Sequence, residues 1–139
     1  MKNYKLLNGF LILGLLLLYP YFSDVMAQNK DNWTLLGRKT VNTDQGQGEI
    51  KVAAAKGELK VSKIRIKVKA APLEMKSIVI QYRNGEKQPV NLKKNFKKNT
   101  FSRDIPLRGD DERAIKKVEL RFTKKKQSGS KPIVELFGM

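Results

Sequence analysis

Lys63, Arg65, Lys67 and Lys69 alternate with Ile64, Ile66 and Val68. On an extended strand, side chains two residues apart point the same way. The four cations would then form a stripe with neighbours about 7 Å apart. Two unit charges at that spacing repel by only about 0.6 kcal/mol in water, and physiological salt, with a screening length of about 8 Å, reduces this further. Such a stripe costs little and could track a polyanion. It would also serve as a solvated outer face whose lysines discourage sheet-edge pairing. Further basic runs, Lys93, Lys94, Lys97, Lys98 and Lys124, Lys125, Lys126, read as solvated loops.

A second chemical candidate is the stretch SRDIPLRGDDER, residues 102–113. Asp110, Asp111 and Glu112 offer clustered carboxylates of the kind Ca²⁺ takes. The EF-hand spacing is missing, however, and Arg108 and Arg113 flank the acids. Arg108-Gly109-Asp110 also spells an adhesion tripeptide, one that three common residues produce by chance. The plainer reading is a charged turn in which Arg103, Asp104, Arg108, Arg113 and the acids pair locally. Gly109 then supplies the backbone freedom the turn demands. Arg103, Gly109 and Arg113 are accordingly read as structural turn residues.

Absences narrow the chemistry. The chain has no Cys and no His, so Ser-His-Asp and Cys-His sites are excluded. A standard zinc site lacks its preferred ligands. No cofactor or metal is expected, and a non-enzymatic role is. A carboxylate hydrolase would need two acids roughly 5 to 9.5 Å apart in a cleft, and the sequence offers no acid pair without a neighbouring cation. The net charge of +16 favours anionic partners. Binders of single-stranded nucleic acid interleave basic and aromatic residues on exposed strands. Here Trp33, Tyr82, Phe96, Phe101, Phe122 and Phe137 come one per segment, mostly at core parity, so nucleic acid is not the expected partner. Asn32-Trp33-Thr34 fits the glycosylation pattern, taken as fortuitous because Trp33 reads as a core anchor of the first strand.

The elements that must position these residues begin after a leader. Lys2 and Lys5, the apolar run Phe10 to Phe22 and the small residues Val25 and Ala27 have the layout of a secretory signal cut after Ala27. Residues 1–27 are therefore read as a cleaved signal peptide and 28–139 as a single domain, periplasmic or secreted, with no membrane span after cleavage. The remaining chain carries 27 basic against 12 acidic residues, a net +15. Without disulfides, apolar burial must hold it together.

About eight short strands follow one another with turn signals every eight to twelve residues. They are WTLLGRKTV (33–41), EIKVAA (49–54), LKVSKIRIKVKA (59–70), MKSIVIQY (75–82), PVNL (89–92), TFSRDIPL (100–107), AIKKVELRFTK (114–124) and PIVELF (132–137). The apolar phase changes between Val61 and Ile64, which predicts a bulge near Ser62. Asn84-Gly85 predicts a two-residue type I′ hairpin, and Pro89 predicts that its return strand lies at an edge. Ile115, Val118 and Glu119 also fit a short helix over 111–121, but the alternation continuing to Phe122 favours a strand.

Trp33, Leu36 and Gly37, followed by Arg103, Ile105, Leu107, Gly109, Arg113, Ile115 and Val118, and then a closing strand ending in Gly138, together resemble an uncharacterised family of small exported bacterial proteins, a domain of unknown function. The resemblance implies an exported β-sandwich and carries no functional residue. The expectation is an all-β antiparallel sandwich, jelly-roll-like. It would bind an anionic envelope component, lipid head group or polysaccharide, through Lys63, Arg65, Lys67 and Lys69. The alternative is a neutral sugar or peptide held at the loops and reported by Trp33 or Tyr82.

Overall fold

Period-two alternation of apolar and polar residues builds ten strands in the computed structural model, which describes residues 32–109 and 111–139. They are β1 (Thr34–Thr40), β2 (Gln47–Lys51), β3 (Lys60–Val61), β4 (Lys63–Lys69), β5 (Leu73–Tyr82), β6 (Lys87–Phe96), β7 (Thr100–Phe101), β8 (Ile105–Pro106), β9 (Arg113–Phe122) and β10 (Ile133–Gly138). The leader predicted over residues 1–27, and its cut, lie outside the described residues. No helix among the described residues is long and apolar enough to cross a membrane.

One sheet runs β1-β10-β4-β7, with β8 also on β4; the other runs β2-β9-β5-β6, with β3 on β9. Every pairing is antiparallel. Counting β7 and β8 as one interrupted strand and β3 as a lead-in to β4 leaves eight, in the order of a jelly roll. Successive strands change sheet at each connection except the β5–β6 hairpin. The core between the sheets is continuous. Ile64, Ile66 and Val68 on β4 and Val134 and Leu136 on β10 face Ile78 and Ile80 on β5 and Val118 and Leu120 on β9, all essentially inaccessible to solvent.

The apolar phase change at Ser62 is not a bulge. Lys60–Val61 pairs with β9 of one sheet, whereas Lys63–Lys69 pairs with β10 of the other. The slip in parity marks the crossing between layers, and Ser62 and Lys63 N–H donate to the Met139 carbonyl there. The helix-like spacing of Ile115 and Val118 instead marks a bulge. Opposite β5, Gln81 pairs with Lys117 and Tyr82 with Ile115, so Lys116 is the extra residue.

The hairpin at Asn84-Gly85 exists, but not as type I′. Only Gly85 has positive φ, +92°. Gly85 N–H donates to the Tyr82 carbonyl and Tyr82 N–H to the Glu86 carbonyl. This is a three-residue loop with glycine at the left-handed position. The return strand is an edge strand, as Pro89 predicts, but it extends through Lys93 and Lys94, which had read as loop. The stretch TFSRDIPL is two short pieces rather than one strand. Between them Ser102 Oγ accepts from Ile66 N–H, while Ser102 N–H donates to the Ile66 carbonyl.

Candidate functional site

The pairing of β4 with β10 and β7 decides what surrounds the basic stripe. Ile64, Ile66 and Val68 are fully buried, so Lys63, Arg65, Lys67 and Lys69 face outward, each half-buried. Directly paired residues share a face, so the outer surface is laid out in rows. Leu35, Phe137 and Arg65 form one row; Arg38, Glu135, Lys67 and Phe101 form the next; Thr40, Ile133 and Lys69 form a third.

The aromatic residues are where the sequence reading needs correction. Trp33 is not a core anchor: it precedes β1, is half-buried and lies on this outer face. Phe101 is 38% exposed and Phe137 is half-buried, both on the same face. The Arg65 guanidinium lies 4.3 Å from the ring centre of Trp33 and 4.3 Å from that of Phe101, with Phe137 at 5.9 Å. Lys63 Nζ is 5.5 Å from the Trp33 ring and Lys67 Nζ 5.0 Å from the Phe101 ring. Phe101 and Phe137 meet at 6.0 Å with a 56° tilt. A guanidinium is planar and weakly hydrated, which suits stacking between rings, and each such contact is worth about 0.5–2 kcal/mol.

Charge on this face is mixed. Lys63 pairs with Asp104 at 3.4 Å, and Lys69 with the nearly buried Glu135 at 3.9 Å. Arg65 makes no ion pair among the described residues, and its buried Nε has no hydrogen-bond partner. Lys67 likewise makes no ion pair among the described residues, but only Arg65 sits between two rings with a buried nitrogen left without a partner.

Among the described residues the charged stretch 102–113 makes no ion pair within itself. Arg103 donates to the Asn91 carbonyl at 3.3 Å, and Asp104 goes to Lys63. Arg113 reaches Glu86 Oε2 at 3.0 Å and the Arg108 carbonyl at 3.2 Å, and stacks 3.6 Å from the Tyr82 ring centre. Gly109 does take positive φ, +99°. Asp110 lies outside the described residues, while Asp111 and Glu112 are exposed. Among the described residues no three metal-ligating side chains cluster.

What anchors this turn is a residue the sequence reading passed over. Buried Gln88 accepts from the Tyr82 hydroxyl and from Arg108 N–H at 2.9 Å, and donates to the Pro106 carbonyl at 3.1 Å. Burial pushes the Tyr82 hydroxyl above its ordinary range, against the opposing pull of Arg108 and Arg113. No local pattern in KQPVNL announces such a role for Gln88.

A cleft of about 450 Å³ opens beside β2 and β9 of the other sheet, lined by Gln45, Gln47, Glu49, Glu119 and Arg121 together with Lys39 of β1. It brings two carboxylates together, Glu49 and Glu119 being cross-strand partners. Lys117 Nζ reaches both, at 3.1 and 3.8 Å. Its hydrogen bond holds the Glu49 carboxyl below the usual range, and the same contact raises Lys117. An acid held ionised by an adjacent ammonium is a poor proton donor, so Glu49 is ill suited to the acid role in glycoside hydrolysis.

A family profile described as Domain of unknown function (DUF2541) matches residues 10–138. Among solved structures, AlgX from Pseudomonas aeruginosa is similar with a TM-score of 0.51 and 12% identity, over 76% of this chain. The chain spans 26% of AlgX, and the likeness shows a shared fold. A chain described as CpGH89CBM32-4, produced by Clostridium perfringens, is similar at TM-score 0.43 and 14% identity, covering 79% of this chain and 95% of that one. A family 29 carbohydrate binding module from Piromyces equi is similar at 0.38 and 14%, covering 78% and 80%. No curated protein matches the sequence.

Proposed function

The chain belongs to the family described as Domain of unknown function (DUF2541), and for this member we propose an exported, non-enzymatic module that holds a carboxylate-bearing polysaccharide on the outer face of the sheet formed by β1, β10, β4, β7 and β8. The carrying observation is Arg65, stacked between Trp33 and Phe101 and without a counter-charge among the described residues. A sugar presents an apolar C–H face to such rings and hydroxyls to its surroundings, and a uronate adds the carboxylate that Arg65 lacks. Export rests on the leader pattern in residues 1–27.

The same combination of rings and cations could stack nucleic-acid bases. The acids on the face favour the sugar. Asp104 and Glu135 are placed to accept hydrogen bonds from the hydroxyls that a polysaccharide carries on every residue. Arg65 also already covers one side of both the Trp33 and Phe101 rings.

Affinity electrophoresis through gels containing a polyuronate, a neutral glucan or no polymer tests the proposal. Retardation by the polyuronate should weaken as salt rises and fall about tenfold or more in R65A and W33A. Failure of retardation at low salt, indifference to R65A and W33A, or stronger binding of a single-stranded oligonucleotide would each sink it. Salt-independent retardation by the neutral glucan would replace it with neutral-sugar recognition.

A further inference from the structure

The two ends of the sandwich differ sharply in charge. At one end the connections 41–46, 70–72, 97–99 and 123–132 emerge together, tied by Lys125 N–H to the Thr43 carbonyl, Val41 N–H to the Pro132 carbonyl and Asn99 N–H to the Val68 carbonyl. They carry Lys97, Lys98, Lys124, Lys125, Lys126 and Lys131 against a single acid, Asp44. The connections at the other end, 52–62, 83–86 and 107–112, carry four cations against five acids. All six lysines are exposed, and none is in an ion pair among the described residues. Asp44 is occupied in bracing, its carboxylate accepting from Gln127 N–H at 2.7 Å. Gln127 Oε1 in turn accepts from Thr43 N–H and Oγ1 at 3.1 and 3.0 Å.

We propose that this end docks electrostatically on an anionic phospholipid bilayer. The lysines come from two separate connections held on a braced frame, so they form a platform rather than a flexible tail. These connections contain no aromatic residue, so nothing there stacks on a sugar or a base, and charge alone is left to recognise the partner. A plane of head groups engages cations within a screening length of its surface, about 8 Å, all at once. The platform lies across the strand ends, whereas the Trp33–Arg65–Phe101 cluster lies along the strands, so docking leaves that face open.

Co-sedimentation of the purified protein with vesicles of phosphatidylglycerol in phosphatidylcholine tests this. Partition should be strong at low salt, be absent with phosphatidylcholine alone, and fall about a hundredfold or more in K124E/K125E/K126E. K56E/K60E, at the opposite end, makes a smaller change of net charge in the same direction and should leave partition nearly unaltered. An unchanged circular-dichroism spectrum establishes that the triple variant is folded. No partition at low salt, equal partition into neutral vesicles, equal loss in both variants, or stronger binding of an oligonucleotide through the same lysines would overturn the proposal. None of these results depends on whether polysaccharide binds.

Discussion

At the scale of single residues, what distinguishes Arg65 from its neighbours on β4 is shape as much as charge. Lys63 and Lys69 are neutralised by Asp104 and Glu135, while Arg65 is held by two rings. R65K keeps the charge but replaces a flat, weakly hydrated group with a compact, strongly hydrated one. It should therefore lose most of the polyuronate retardation that R65A loses, as affinity electrophoresis would show; full activity in R65K would mean that charge alone matters. Gln88 acts by satisfying buried partners. Q88A leaves the Tyr82 hydroxyl without its acceptor and Arg108 N–H with only its longer contact to that hydroxyl oxygen, 3.3 Å, which should cost about 1–3 kcal/mol in urea unfolding. Y82F leaves the Arg108 contact to Gln88 in place and should cost less. Glu86 sets a pH signature. The Arg113 hydrogen bond, followed by that from Asn84, lowers its carboxyl below the ordinary 4.5. A depressed folded-state pKa means stability present above the unfolded value and lost as pH falls through the folded one. The melting temperature should thus decline below about pH 4.5, and E86Q should flatten part of that decline. A decline identical in E86Q would remove Glu86 from the account.

At the scale of elements, two glycines separate close approach from backbone freedom. A Cβ on Gly37 would sit 2.6 Å from the Lys51 carbonyl oxygen and 3.0 Å from Ile50 Cγ2, so G37A must push β1 away from β2. At Gly85 nothing lies within 4 Å, and only the positive φ resists a side chain. G37A should destabilise by about 1–3 kcal/mol and G85A by about 1 kcal/mol. Comparable losses in thermal melts would contradict the tight β1–β2 contact. The elements also explain what could be read in advance. Alternation is local, so Ile78, Ile80 and Tyr82 on β5, and Val118, Leu120 and Phe122 on β9, are legible from one segment at a time. The slips are not. At Ser62 a change of sheet, and at Lys116 an extra residue, both look like a lost beat in a one-dimensional pattern. Phe137 could have been placed outward, because it shares parity with Glu135 while Val134 and Leu136 take the core. Trp33 and Phe101 could not: one precedes β1 and the other ends a two-residue strand, where there is no run to set parity. Their meeting over Arg65 depends on β4 pairing with partners distant in sequence.

At the scale of the whole molecule, the excess of positive charge has two consequences of opposite sign. The chain carries 29 basic and 13 acidic residues, with no disulfide to offset their repulsion. Self-repulsion at high net charge destabilises the compact state, because folding brings like charges closer together. Many of the lysines gain nothing locally in exchange, the six at the basic end among them. Added salt screens that repulsion, so the melting temperature should rise as sodium chloride is increased from very low ionic strength. Sulfate is unsuitable for this comparison, because its exclusion from the protein surface strengthens apolar burial by another route. The same ions shorten the reach of the Arg65 face and of the lysine platform, so retention on polyuronate and partition into anionic vesicles should weaken over the range in which stability grows. A fold maintained by its surface ion pairs would behave otherwise, losing stability and binding together. The six ion pairs among the described residues are all at least partly solvated, and solvated pairs contribute about 0–1 kcal/mol each. Parallel salt titrations of melting and of binding therefore separate the two cases. Opposite slopes mean that the positive charge serves partners at the expense of the fold. A melting temperature that falls with salt would mean that the ion pairs, rather than the apolar layer between the sheets, hold the sandwich closed.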